Sequence, residues 1–180
     1  MQTTYVKVAC VVLAFIVAGA LRPSRAEDVC VDFKWDVSRE RALFAAAPAH
    51  LQAGRDAASA PAIAPNHLYK LHLLPRDKVA LAIPPTKRNS DPASFAGLAA
   101  LSIPSPGSYR IAIDLSSWID VVANGSFVPA QNFEGQHACS APHKIVEFEL
   151  TGTQPFVLQF SNAVSDSVLL TVTPTPARKF

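Results

Sequence analysis

The chain has 180 residues, 49% of them hydrophobic and 17% charged, with 15 prolines against 7 glycines. That length suits one domain able to bury roughly two-thirds of its unfolded surface, and the apolar share excludes disorder as the reading of the whole chain. The formal charge of +2 becomes −1 once Lys7, Arg22 and Arg25 are set aside with the first 26 residues, which excludes nucleic acid and anionic membrane as expected partners, since both demand a concentrated positive field.

Lys7, the apolar run Val8 to Ala20 and the polar stretch Leu21 to Ala26 follow the order of a secretory signal peptide. The apolar run is shorter than the ~20 residues that cross a bilayer, and Ser24 and Ala26 place small side chains where a signal peptidase reads. Cleavage is expected after Ala26, giving a periplasmic or secreted product with no membrane insertion; an uncleaved anchor is the alternative. Losing Cys10 with the signal leaves Cys30 and Cys139, which are expected to form one structural disulfide. Two free thiols or an intermolecular bond are the alternatives. No Cys-x-x-Cys spacing supports redox chemistry.

Past Cys30, a short helix is expected where Asp36 or Ser38 can accept first-turn N–H groups, Ala42 to Ala46 favour the helical backbone, and Pro48 ends it. Residues 49–66 are rich in Ala, Pro and Ser without apolar period, and read as an irregular segment laid over the core. From Tyr69 onward the period becomes two. Strands are expected around Tyr69–Leu73, Val79–Ile83, Phe95–Ile103, Tyr109–Ile113, Trp118–Val122, Val146–Leu150, Phe156–Phe160 and Val168–Val172. Asn124-Gly125 suits the positive φ angles of a tight turn, which predicts that Trp118–Val122 pairs antiparallel with Ser126–Val128. Short strands at this spacing with almost no helix predict an all-β, antiparallel β-sandwich or jelly-roll-like fold with a short N-terminal helix. The expected organisation is a signal peptide over 1–26, a helix and cover segment over 27–66, the sandwich over 67–173 and a loose tail over 174–180.

Stretches including Phe33 to Glu40, Gly107-Ser108-Tyr109-Arg110-Ile111, Trp118-Ile119-Asp120-Val121-Val122, Gly135-Gln136-His137-Ala138-Cys139, Lys144 to Phe148 and Phe156 to Ser161 resemble a group of small exported bacterial β-sandwich proteins of uncharacterised function. Some members of that group carry a homogentisate 1,2-dioxygenase name, which would imply an iron enzyme. This chain is far shorter than such an enzyme and lacks a His-rich cupin-like motif. The resemblance extends loosely to bacterial β-sandwich modules that accompany secreted enzymes.

The densest set of metal-capable residues is Glu134, His137, Cys139, His143 and Glu147. Iron or zinc would take two imidazoles and a carboxylate, so His137 and His143 with Glu134 or Glu147 are the candidates; exposed loop histidines beside a disulfide are the alternative. No Gly-x-Ser-x-Gly elbow or phosphate-cradling glycine loop occurs, and no catalytic residue or cofactor is assigned. Asn124-Gly125-Ser126 matches a glycosylation pattern as well as a turn. Trp118, Phe127 and Phe133, with Asp120, Asn124 and Gln131 nearby, either form a recognition face for a sugar or peptide or fill the core. The expected function is an exported binding or interaction module without catalytic chemistry, its ligand an unknown protein or glycan. A small metal-dependent, dioxygenase-like enzyme using His137 and His143 is the alternative, and an accessory or inhibitor of another secreted protein is a third.

Overall fold

The computed structural model describes residues 33–87, 91–136, 138–152 and 155–176. The expected signal peptide, Cys30, His137 and the last four residues of the tail lie outside the described residues. One α-helix, α1 (Ser38–Phe44), is followed by β1 (Ala49–Gln52), β2 (Ala62–Ile63), β3 (Leu68–His72), β4 (Leu74–Pro75), β5 (Phe95–Leu101) and β6 (Gly107–Ile113). The chain continues through β7 (Trp118–Ala123), β8 (Ser126–Val128), β9 (Ala130–Gly135), β10 (Lys144–Leu150), β11 (Phe156–Ala163) and β12 (Ser167–Pro174). These strands make two packed sheets. The first runs β1-β3-β12-β6-β10-β9 and the second β2-β5-β11-β7-β8, with β4 also on β5. The protein is thus an all-β sandwich with one short helix near its start.

Period-two alternation decides what lies between the sheets. Leu71, Ile111, Ile113, Phe148, Leu150, Leu170 and Val172 project inward from the first sheet, and Leu101, Val121, Leu158 and Phe160 from the second; all are fully buried. Burying each such side chain contributes roughly 1.5–3 kcal/mol, so this layer dominates the stability. The outward faces are covered too. Over the first sheet, Val37 packs on Ala112 and Ile145, with Phe33, Trp35 and Phe44 around them. Over the second, Val79 packs on Ala96 and Leu98, with Leu74, Leu81 and Val157 around them.

Covering both faces forces polar side chains on the outward positions to find partners. Arg110 and Glu147 sit opposite each other on β6 and β10, each 7% exposed, with Nε 3.4 Å from Oε2. The guanidinium also donates to the Asp36 carbonyl at 2.9 Å and lies 4.7 Å from the centre of the Trp35 ring. Buried Glu40 on α1 accepts from the Thr173 hydroxyl of β12. These bonds hold the first helix where its apolar residues already direct it. At the helix start Val37 holds the N-cap position without a side-chain capping bond, and the residue before it, Asp36, accepts from the Ser38 N–H at 2.9 Å.

The hairpin turn forms as expected, with positive φ at Asn124 (51°) and Gly125 (72°) between the paired strands β7 and β8. Three local expectations are corrected. The segment 49–66 is not wholly irregular: β1 pairs in parallel with β3, and β2 in parallel with β5, so the sandwich begins earlier than residue 67 and is not purely antiparallel. Val79–Ile83 is not a strand. A 3-10 turn at Arg76–Lys78 leads into an irregular strap, whose alternating Val79 and Leu81 pack onto the outside of the second sheet without joining it. Finally β9, where no strand is expected, pairs with β10 from Ala130 to Gly135.

Between β1 and β5 the chain crosses from one sheet to the other. Gly54 exchanges backbone hydrogen bonds with Leu98, and the adjoining Ala53 presses against Gly97 of β5. A Cβ on Gly97 would overlap the Ala53 methyl and approach Leu73 Cδ2 at 3.0 Å. Gly97→Ala is therefore expected to cost about 1–3 kcal/mol, the range for overpacking. Urea unfolding checks it, and a midpoint equal to wild type would show that the crossing relaxes freely.

Candidate functional site

A short partner strand leaves an opening in the sandwich wall. β8 pairs only with Val121–Ala123, so among the described residues the first half of β7, Trp118–Asp120, has no strand neighbour on that side. After Pro129 the chain leaves the second sheet and becomes β9 at the end of the first. The two edges diverge, and a cleft of about 280 Å³ lies between them. Trp118 forms one lip and Phe133, 72% exposed on β9, forms the other. An apolar recess of about 140 Å³, floored by Ile119 and Val146, adjoins the same Trp118, Phe133 and Lys144.

Lys144 begins β10 on the same side as Val146 and Phe148, so its side chain enters between the sheets. Its ammonium donates to the Ser117 carbonyl at 3.0 Å and lies 4.9 Å from the centre of the Trp118 ring. Lys87 approaches the same ring at 5.8 Å. Such cation–π contacts contribute about 0.5–2 kcal/mol each. Among the described residues, no carboxylate forms an ion pair with either lysine. Burial first, and then the neighbouring Lys87 charge, push Lys144 below the ordinary lysine range, with Asp120 pulling the other way.

The nearest carboxylate is already occupied. Asp120 is 5% exposed. One of its oxygens accepts from the Thr86 hydroxyl at 2.6 Å and from Trp118 Nε1 at 3.1 Å; the other accepts from the Thr86 N–H at 3.2 Å and from Gln159 Nε2 at 3.4 Å. Gln159 also bonds both backbone groups of Ile83. Asp120 therefore fastens the strap to the second sheet and fixes the indole that borders the cleft.

Asn162 closes the far wall. The register of β11 shifts between Phe160 and Ala163, and Asn162 sits in that bulge with φ 52°, lining the cleft. Bulges commonly re-aim a side chain in this way. Both polar atoms of its amide are buried without a hydrogen-bond partner. Orphaned polar atoms cost roughly 1–3 kcal/mol each, so a native structure seldom keeps them without a use.

Of the residues expected to form a recognition face, Trp118 and Phe133 meet at the cleft, and Asp120 supports Trp118 from behind. Phe127 stands apart: it pairs with Val122 on the outward face of the second sheet and is half-buried there. The metal candidates are dispersed in their bonding. Glu147 is engaged by Arg110, and Glu134 accepts from the Lys34 N–H at 2.6 Å. His143 lines the cleft with Nδ1 3.0 Å from the Cys139 carbonyl. Among the described residues no three His, Cys, Asp or Glu side chains converge as a metal site. Sequence reasoning missed Lys144 and Asn162. A lysine at an inward strand position and a Ser-Asn pair interrupting an apolar strand were the available signals. Compared with known proteins, the chain matches no family model and no curated protein.

Two outcomes follow from this geometry. Asp120→Ala removes the acceptor of four hydrogen bonds and is expected to cost about 2–4 kcal/mol, with faster hydrogen exchange at Thr86; a loss under about 1 kcal/mol would show that the strap is held by its apolar contacts alone. For Lys144 the folded chain holds its proton less tightly than the unfolded chain. Stability therefore rises as pH climbs from the folded value toward 10.5, and that gain is lost as pH falls back through the folded value. Lys144→Gln is expected to flatten this alkaline rise in urea midpoints, and parallel curves for the two proteins would contradict it.

Proposed function

We propose that the protein is an exported binding module without catalytic chemistry, and that the cleft between β7 and β9 is its recognition surface. The carrying observation is the convergence of an exposed aromatic, Phe133, with Trp118, Lys144 and an unpartnered Asn162 amide on one opening of the sandwich. Binding sites commonly combine an apolar wall with a few fixed polar groups. The groups around the cleft are held by the sheet and the strap, which limits the ordering a ligand would have to impose.

Export to the periplasm or beyond belongs to the same reading and rests on the leader-like residues 1–26. So does a disulfide between Cys30 and Cys139. Its support is that Cys139 is 3% exposed and that the chain has one other cysteine once Cys10 leaves with the leader. The partner is a glycan or a protein that presents a small group to the cleft.

Purified protein screened on glycan and peptide arrays is expected to capture a ligand whose affinity falls five- to tenfold with Phe133→Ala, in line with the loss of one aromatic contact. Arg55→Ala, an exposed change beside the opposite edge of the second sheet, is expected to leave binding intact. Capture that ignores Phe133→Ala, or no capture at all, would remove the cleft from consideration.

A further inference from the structure

The polar groups of the cleft differ in kind, and their differences define a ligand. On one side stand two ammonium groups, Lys87 and Lys144, flanking a single indole without a carboxylate paired to either among the described residues. Asp120, the nearest anion, spends both oxygens on Thr86, Trp118 and Gln159. An anion entering the cleft would therefore meet cations that the protein has not already neutralised. Asn162 also lines the cleft, with an amide whose donor and acceptor are both buried and unpartnered, so that a turn of its side chain presents them together to a ligand. A hydroxyl group can satisfy both, since it donates and accepts, whereas a carboxylate or an ammonium satisfies only one.

Size and wall chemistry narrow the choice further. Pockets for drug-sized ligands begin near about 300 Å³, so a cleft of about 280 Å³ takes one ring and its substituents. The Trp118 face is already approached by two cations, which leaves the exposed Phe133 ring as the surface for an apolar face of the ligand. A sugar ring presents such a face of C–H groups while its edge carries hydroxyls.

We propose that the cleft binds one acidic pyranose unit, its carboxylate between Lys87 and Lys144, a hydroxyl on the Asn162 amide and its ring against Phe133. This deepens the binding-module reading and rests on it. The depressed Lys144 fits the assignment, because a carboxylate beside it would restore the charged form that burial disfavours. The contact with the exposed Lys87 makes binding sensitive to salt.

The test is titration of the purified protein with methyl β-glucuronide, methyl β-glucoside and acetate, followed by calorimetry and Trp118 fluorescence. The glucuronide is expected to bind at least tenfold more tightly than either other compound. Lys144→Gln and Lys87→Gln are each expected to bring the glucuronide down toward the level of the glucoside. Phe133→Ala and Asn162→Ala are expected to weaken both sugars alike. Lys87 is exposed on the strap, so its variant folds whether or not Lys144→Gln does. Equal affinity for the two sugars, with Phe133→Ala weakening both, would overturn the acidic assignment while keeping the cleft as the binding surface. Acetate binding as tightly as the glucuronide would reduce the site to an anion contact and overturn the sugar. Glucuronide binding untouched by all four variants, or no binding of either sugar, would overturn the proposal.

Discussion

The structure depends on a requirement that neither sheet is left with a bare face. The interior layer of Leu, Ile, Val and Phe joins the sheets, but it is the outer coverings that dictate where polar residues can stand. On the first sheet a buried arginine–glutamate pair takes the N-terminal segment as its lid, and breaking such a pair by removing one partner is far costlier than never having built it. On the second sheet a buried aspartate–glutamine pair takes the strap. Each covering is thus fixed by polar bonds but driven to its place by apolar contact. The polar bonds supply the register that apolar contact alone would leave loose.

The cleft is the place where this closure stops. Because β8 covers only the second half of β7, the indole of Trp118 and the phenyl of Phe133 border an opening, and Lys144 reaches into it from the first sheet. Its position has three origins that the fold combines: the Asn124-Gly125 turn sets the length of β8, Pro129 passes the chain between sheets, and the bulge in β11 delivers Asn162. The residues that fasten the strap therefore also set the geometry of the opening, since Asp120 serves both.

Much of the sandwich could be read from alternation alone. β3, β6, β7, β11 and β12, and β10 beyond Lys144, have inward side chains that are consistently apolar, and a strand buried on one face against a common core must show that pattern. β1 and β2 were hidden because an Ala-rich edge strand with one neighbour buries too little to alternate. β9 was hidden for the same reason, its side chains being mostly exposed. Val79 to Ile83 misled in the opposite sense: a strap lying across a sheet also buries alternate residues, so period two did not distinguish it from a strand. In the site, aromatic residues drew notice by type, and Trp118 and Phe133 meet while Phe127 does not, because facing depends on register across the hairpin. Lys144 and Asn162 required knowledge of which strand bulges and which way β10 faces. No local motif carries that.

The order of strands has a temporal consequence. β12 follows all the other described strands in sequence, yet it lies in the middle of its sheet, bonded to β3 on one side and β6 on the other. β3 and β6 cannot be joined until β12 is present, and β12 stands roughly a hundred residues from β3 and roughly sixty from β6, spans over which contact formation is slow. A polypeptide that emerges N-terminus first must therefore keep the first sheet split in two while β3 to β11 are laid down, and it snaps shut only when β12 arrives.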